Sequence, residues 1–228
     1  MKLSVVMPVY NEEQTVQEIV RKVLAVEIEK EIIIVDDGSK DRTRHILKEE
    51  FSGQPGIRVI LHEKNAGKGA AVRTGIANAS GDIILIQDAD LEYDPNDYHE
   101  LVKPITEGRA EVVYGSRVKG TSFRHKYTLN LFAARLLSVM SNLLFGLNIT
   151  DEPTCYKVFK AEVIKAIEFR GNGFEWEPEV TAKLGKRGVR IYEVPISYYS
   201  RTIKEGKKIK WVDGVKAIWT LIKYRFVD

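Results

Sequence analysis

The chain has 228 residues, 44% hydrophobic and 29% charged, with a formal net charge of +3. That is the composition of an ordinary globular protein of one large domain, or one domain with a small addition. The charge is too small to argue for nucleic acid, the single Cys155 excludes an internal disulfide, and no apolar stretch reaches the ~18–20 residues of a membrane span. Cys155 reads as a buried structural thiol. Met1-Lys2-Leu3-Ser4 runs straight into a strand, unlike a signal peptide. The most apolar stretch, Leu129 to Leu147, is interrupted by Asn130, Arg135, Ser138, Ser141 and Asn142. A soluble or peripheral protein is expected.

In chain order, Leu3 to Val9 is an apolar strand, and Asn11-Glu12-Glu13 opens a helix with Val16, Ile19, Val20, Val23 and Leu24 on its apolar face. Glu31 to Val35 is a buried strand ending in Asp36-Asp37-Gly38-Ser39, followed by a helix over 41–51. Arg58 to Leu61 is a short strand. Asn65-Ala66-Gly67-Lys68-Gly69 leads into a helix over 70–79. Ile83 to Ile86 is a continuous apolar run, the mark of a central strand. A helix over 95–107 and a strand over 111–114 follow, the latter ending in Gly115-Ser116-Arg117. Strands alternating with helices predict a parallel α/β sheet covered on both faces. Beyond this, the pattern predicts a basic loop over 122–126, a long helix over 129–145, a strand over 155–159, and helices to 167 and over 176–186. A strand over 189–194, a basic stretch after Ser200 and an amphipathic segment over 211–226 complete the chain.

The chemistry gathers at the strand ends. After Ile86 come Asp88, Asp90, Glu92 and Asp94 at every second position, which alternation places on one side of an extended segment. Crowded carboxylates repel unless a cation holds them, and hard oxygen donors suit Mg²⁺ or Mn²⁺. The bland alternative is a solvated acidic turn with Asp94-Pro95 starting a helix. In open α/β sheets, ligands bind beyond the carboxyl ends of the strands. Here those ends read Pro8-Val9-Tyr10-Asn11-Glu12, Asp36-Asp37, Asp88-Ala89-Asp90 and Ser116-Arg117. Convergent acidic groups there suit a base, ribose hydroxyls and a metal, and Arg117 suits a phosphate. Gly67-Lys68-Gly69 lacks the rest of a P-loop and reads as a tight turn before a helix, with Lys68 open to facing a ligand. His45, His62, His99 and His125 show no metal spacing and are expected at the surface.

The motifs Ser4-Val5-Val6-Met7-Pro8-Val9-Tyr10-Asn11-Glu12, Val35-Asp36-Asp37-Gly38-Ser39, Asn65-Ala66-Gly67-Lys68-Gly69, Asp88-Ala89-Asp90 and Gly115-Ser116-Arg117 together resemble glycosyltransferase family 2. Val194-Pro195-Ile196, Arg201 and Glu205-Gly206-Lys207-Lys208 resemble its branch of dolichol-phosphate mannose synthases and other polyprenyl-phosphate sugar transferases. The resemblance implies a GT-A fold, with a Rossmann-like, mostly parallel sheet and a helical, amphipathic C-terminal part. It implies one catalytic domain over 1–228: a nucleotide-sugar-binding half at 1–117, an acceptor half at 118–199, and a basic lid with an amphipathic helix at 200–228. The implied reaction is inverting transfer of one hexose from a GDP-mannose or UDP-glucose type donor to a polyprenyl phosphate, at the cytoplasmic face of a membrane. A separate membrane-anchoring subunit is a possible partner, since many relatives carry C-terminal spans. No Gln-x-x-Arg-Trp box of processive synthases is present. Implied donor contacts are Pro8, Tyr10, Glu12, Val35, Asp37, Asp88, Ala89, Asp90, Arg117, Arg201 and Lys207. Implied metal contacts are Asp88 and Asp90 with Glu92 as third ligand, and the implied catalytic residues are Asp90, Arg117 and Arg201. The alternatives are a relative acting on a soluble or glycan hydroxyl, and a non-catalytic nucleotide-sugar-binding subunit.

The chemistry of such a transfer agrees with the residues. A metal on the diphosphate neutralises leaving-group charge. A phosphate monoester acceptor has its second pKa near ~6 and needs no general base. Cations that bring one anion against another are needed instead, and Arg117, Arg124, Arg135, Arg201, Lys207 and Lys208 are candidates. Arg124 and Arg135 also read as solvated surface charges. Asp151 lies where relatives with hydroxyl acceptors place a base, and either that role or mere orientation of the site is open. Leu129, Phe132, Leu136, Leu137, Met140, Leu143 and Leu144 form one apolar face. Trp211, Val215, Ile218, Trp219, Ile222 and Phe226 form another, among Lys210, Lys216, Lys223 and Arg225. Such helices either lie in a membrane interface or pack on the domain. The basic stretch over 200–210 is expected to close as a lid on bound phosphates, or else to be an ordered, solvated loop.

Overall fold

The apolar runs of the sequence become the middle of a seven-stranded sheet, because strands buried on both faces need no polar side. The computed structural model describes residues 1–120, 123–124, 128–201, 208 and 211–227. Its first half runs β1 (Leu3–Val9), α1 (Val16–Ala25), β2 (Lys30–Asp36), α2 (Thr43–Ile46), β3 (Ile57–Leu61), α3 (Lys68–Asn78), β4 (Ile83–Ile86), α4 (Tyr98–Thr106) and β5 (Val112–Ser116). Then come β6 (Phe123–Arg124), α5 (Thr128–Phe145), β7 (Lys157–Lys160), α6 (Ala161–Lys165), α7 (Trp176–Lys186), β8 (Ile191–Pro195), β9 (Tyr198–Tyr199) and α8 (Trp211–Phe226). The sheet order is β3-β2-β1-β4-β7-β5-β8.

All pairings in this sheet are parallel except those of β7, which runs antiparallel to both β4 and β5. The expected parallel sheet is therefore mostly parallel. β7 enters with Lys157 fully buried. Its ammonium donates to the carbonyls of Glu152 and Thr154, at 2.5 and 2.9 Å, and lies 4.1 Å from the Tyr114 ring centroid. The loop before β7 is thus tied from beneath. The chain reverses order at β1 and β4, the switch point where α/β sheets bind ligands.

Two boundaries differ from the sequence reading for local reasons. Helix α1 starts at Val16, not Asn11, because Asn11 adopts φ +49°. The amides of Asn11, Glu12 and Glu13 are bonded to Ser39, Thr43 and Asp41 respectively, which clasps the loop after β1 to that after β2. The basic loop near Phe123 contains a short strand, β6, paired parallel with β9.

Helix α1 buries Val16, Ile19, Val20 and Val23 against the sheet, and β1, β2 and β4 join the same continuous core. Cys155 is buried, as expected. A second cluster joins α5, α7 and α8 through Leu137, Phe145, Ala182, Ala217, Leu221 and Tyr224. Among the described residues no helix is long and apolar enough to cross a membrane.

Helix α3 lies so close to β1 that a Cβ on Gly75 would overlap Val6 Cγ1. Val6 is β-branched, central and fully buried, so it cannot give way. Gly75→Ala should lower stability by about 1–2 kcal/mol, overpacking exceeding the gain in helix propensity. Gly214→Ala on α8, where a Cβ meets open space, should leave it unchanged or raise it. Urea denaturation of the two variants measures both effects.

Candidate active site

The end of β4 supplies the site with more negative charge than water can reach. The strand stops at Ile86, and the residues after it turn, so the alternation expected of Asp88 to Asp94 is not kept. Asp94 caps the following turn, accepting the Asn96 amide at 3.0 Å. Asp90 and Glu92 are buried. Burial first, then the neighbouring Asp88 and Glu92, push the Asp90 carboxyl up to about 7, against the pull of Arg201.

Cations from distant parts of the chain meet these carboxylates. Arg201, just after β9, places its guanidinium 2.8 Å from Asp90 and 3.0 and 3.2 Å from the two oxygens of Glu12. Its backbone N–H donates to Glu92 at 2.6 Å. Lys208 reaches Glu12 at 2.6 Å and also donates to the Tyr10 carbonyl, with its ammonium 5.8 Å from the Tyr10 ring centroid. Lys68, the first residue of α3, lies 2.8 Å from Asp88 and 3.0 Å from Glu177 of α7. Burial opposes the Lys68 charge, but Asp88 and Glu177 hold its pKa well above the ordinary value. Among the described residues, the carboxylates of Glu12, Asp88, Asp90, Glu92 and Glu177 outnumber the cations of Lys68, Arg201 and Lys208 at this site.

The expected donor residues of β1, β2 and β4 lie at or just beyond the ends of those strands. Pro8 is the penultimate residue of β1, paired with Val35 of β2, and Tyr10 is half-buried just past the strand end. Glu12 meets Asp90 through Arg201, and the Ala89 carbonyl accepts from Thr15 at 2.9 Å. Val35 is fully buried in β2. Asp37 is the clamp of a turn: it accepts the amides of Ala66 and Gly67 at 2.9 and 2.7 Å and pairs with His62 at 2.8 Å. His62 is therefore part of the framework, correcting its expected surface position, while His45 and His99 are exposed. Asp36 is taken by Arg44, at 2.9 and 2.8 Å. The turn reading holds for Gly67 but not for Gly69, which already lies in the first turn of α3. Gly67 has φ +101°, and the carbonyls of Gly173 and Asn172 accept the Gly69 and Ala70 amides at the start of α3.

Arg117, expected at the donor, lies just past the end of β5, and its partner is Asp151. The guanidinium forms two bonds of 2.7 Å with the carboxylate, the Arg117 amide adds one of 2.8 Å, and the Pro153 carbonyl accepts at 3.0 Å. Burial raises the Asp151 carboxyl, but Arg117 outweighs it and holds the pKa below its ordinary value. The guanidinium lies 5.0 Å from the Tyr198 ring centroid, and the Tyr198 hydroxyl donates to Glu92 at 2.8 Å. Tyr198 thus connects Arg117 with the acidic row. The sequence reading did not find Tyr198, Glu177 or the bridging role of Lys68. Glu177 follows buried Trp176 at the start of α7, in a pattern indistinguishable from an ordinary helix end.

A divalent cation fits Asp88 and Asp90, whose hard oxygens lie together at the strand end and whose charge crowding is resolved by one. The Glu92 carboxylate, expected as a third ligand, accepts from the Tyr198 hydroxyl at 2.8 Å and the Arg201 amide at 2.6 Å. Among the described residues no three His, Cys, Asp or Glu side chains converge as a ligand set. Two carboxylates are enough for Mg²⁺ when substrate phosphates complete the shell. Lys207, His125 and the side chain of Arg124 lie outside the described residues, as does most of the stretch over 200–210 expected to form a lid.

Comparison with known proteins agrees with this geometry. The model of the family described as "Glycosyl transferase family 2" matches residues 4–168. A dolichol-phosphate mannosyltransferase of Pyrococcus furiosus is 31% identical over 231 residues, covering 98% of this chain and 64% of that protein. A dodecaprenyl-phosphate galacturonate synthase of Rhizobium johnstonii is 28% identical over 211 residues, covering 88% of this chain and 60% of that protein. The chain thus spans less than two thirds of the length of either. Glucosyl-3-phosphoglycerate synthase of Mycobacterium tuberculosis, solved with Mn²⁺, UDP and phosphoglyceric acid, superposes with a TM-score of 0.75. It covers 100% of this chain and 79% of its own at 21% identity, a likeness of fold. With the sheet of a GT-A fold, an acidic row at the end of its fourth strand and a family match over most of its length, the chain belongs to glycosyl transferase family 2 and is a nucleotide-sugar glycosyltransferase.

Proposed function

We propose that this chain transfers one hexose, with inversion, from a nucleotide sugar to a polyprenyl phosphate. The observation that carries this reading is the lock between Asp151 and Arg117. A hydroxyl acceptor needs a base, and the carboxylate in the expected place is bound bidentately to a guanidinium that keeps it ionised and weakly basic. A phosphate acceptor arrives largely ionised and needs a cation instead. The names of the two relatives above support the same acceptor class.

Pro8, Tyr10, Glu12, Val35 and Asp37 form the wall for the nucleoside. Asp88, Ala89 and Asp90 lie under the diphosphate, and Arg201 faces its charge; the expected contact from Lys207 falls outside the described residues. Asp88 and Asp90 would hold a Mg²⁺ or Mn²⁺ ion, which would supply positive charge to the departing nucleoside diphosphate. Arg117, oriented by Asp151 and stacked near Tyr198, presents its remaining edge to the acceptor phosphate. The acceptor oxygen displaces the diphosphate from the anomeric carbon, and inversion follows from that single displacement.

The apolar faces of α5 and α8 support a membrane-surface partner. Leu137 on α5 is buried and Met140 and Leu144 pack beside it, but Phe132 and Leu143 are exposed. On α8 it is Ala217, Thr220, Leu221 and Tyr224 that pack inward. Trp211, Val215, Trp219 and Phe226 remain at the surface, Trp219 being 65% exposed, beside exposed Lys216, Lys223 and Arg225. Aromatic and basic side chains on one face suit an anionic bilayer or a membrane-anchoring subunit.

Asp90→Asn should remove transfer to a short polyprenyl phosphate by a factor of at least about 10³, with folding intact, in an assay with Mn²⁺ and GDP- and UDP-sugars. A folded variant with undiminished turnover would take the metal site out of this reading, and donor hydrolysis without lipid product from the wild type would favour the hydroxyl acceptor. Co-sedimentation with anionic lipid vesicles tests the surface. The wild type should pellet at low salt and a Trp219→Ser, Phe226→Ser variant should not; equal behaviour would leave those side chains to a protein partner.

A further inference from the structure

We propose that Lys68 and Glu177 are positioning residues that act on the donor through Asp88. This rests on the glycosyltransferase activity and not on the identity of the acceptor. Nothing in the sequence sets these residues together, since they are 109 positions apart. The fold does so by laying the loop before α7 over the start of α3. Gly67 and Gly69 approach that loop so closely that a Cβ on either would overlap backbone of Asn172 or Gly171. The Gly69 and Ala70 amides donate to the carbonyls of Gly173 and Asn172. Lys68 is thereby carried inward at the first turn of α3, with the Phe174 ring centroid 5.7 Å from its ammonium.

There the ammonium reaches both oxygens of Asp88, at 2.8 and 3.0 Å, and one oxygen of Glu177 at 3.0 Å. Its side chain is 13% exposed and that of Glu177 is 9% exposed, so this is a nearly dry bridge. Two consequences follow. A buried ammonium with two anionic partners has one low-energy position, so Asp88 is held in one orientation before substrate arrives. Its charge is also partly neutralised, which reduces repulsion of the donor diphosphate by the acidic row. Glu177 supplies the second anchor; without it the ammonium can swing wholly onto Asp88 or away from it. The α3 amides are already bonded to carbonyls, so this helix start acts through its lysine and not as an anion cradle.

The test measures binding of GDP and UDP in the presence of Mn²⁺ by calorimetry, with thermal unfolding as a control. Lys68→Met should weaken binding of the recognised nucleotide about tenfold or more, and Glu177→Gln by a smaller factor, at near-wild-type melting temperature. Lys68→Arg should recover most of the Lys68→Met loss. The deciding measurement is a double-mutant cycle. In an Asp88→Asn background, Lys68→Met should add little or no further loss, because its effect runs through that carboxylate. Additive losses would show that Lys68 acts on the nucleotide independently and overturn the proposal. Unchanged affinity in the folded Lys68→Met protein would also overturn it. If Lys68→Met proves unfolded, Glu177→Gln with Asp88→Asn provides the same cycle and the same criterion. A wild type that binds nucleotide but does not charge a polyprenyl phosphate would count against the acceptor reading and leave this one standing.

Discussion

Carboxylates left at the end of a buried strand must be met by positive charge, and much of the molecule is arranged to do so. Strand β4 is apolar and central, so whatever follows it emerges into a nearly dry crevice. An uncompensated charge there costs several kcal/mol, which the Asp90 carboxyl expresses by rising to about 7. The protein brings Lys68 from α3, Arg201 from beyond β9 and Lys208 from the C-terminal stretch to answer it. A divalent cation and a donor diphosphate would rearrange the same set of charges. Stability and donor binding are thus two uses of one electrostatic problem.

Beyond β5 the same device recurs with the signs exchanged. Arg117, just past the end of β5 and largely shielded, is fixed by Asp151, while buried Lys157 ties the loop that carries Asp151. Glu193 of β8 holds the Thr150 and Asp151 amides, at 2.8 and 3.1 Å. Tyr198 joins the two sides, with its ring near Arg117 and its hydroxyl on Glu92. A residue that looks peripheral, such as Glu193, therefore orients the guanidinium by way of its carboxylate partner.

Most of the first half was legible in the sequence because its signals are local. Val5 to Val9, Ile32 to Val35 and Ile83 to Ile86 are apolar runs bounded by turns, and each became a strand of the sheet. Asp88-Ala89-Asp90 was legible as chemistry because charge directly after such a run is costly. What the sequence concealed depends on contacts between distant segments. The antiparallel entry of β7 between β4 and β5 is a pairing of distant segments, and no periodicity reports that. Glu92 stands in a local row of acidic residues, yet its hydrogen-bond partners Tyr198 and Arg201 come from 106 and 109 positions away. Asp37 is legible as a residue at a strand end, but not as the one whose oxygens also hold the Asn65 to Gly67 turn. The amphipathic faces of α5 and α8 were visible, but which side of each helix packs inward is decided by α7, through Ala182 in the cluster it shares with Leu137 and Leu221.

The compensation of the acidic row by the chain's own cations is tested most directly by Mn²⁺ titration under electron paramagnetic resonance, with and without GDP or UDP. In donor-free protein Arg201 lies on Asp90, so Mn²⁺ should bind weakly. The matching nucleotide offers Arg201 a diphosphate and completes the metal's oxygen shell, and Mn²⁺ affinity should rise by about tenfold or more. Equal Mn²⁺ affinity with and without either nucleotide would contradict it.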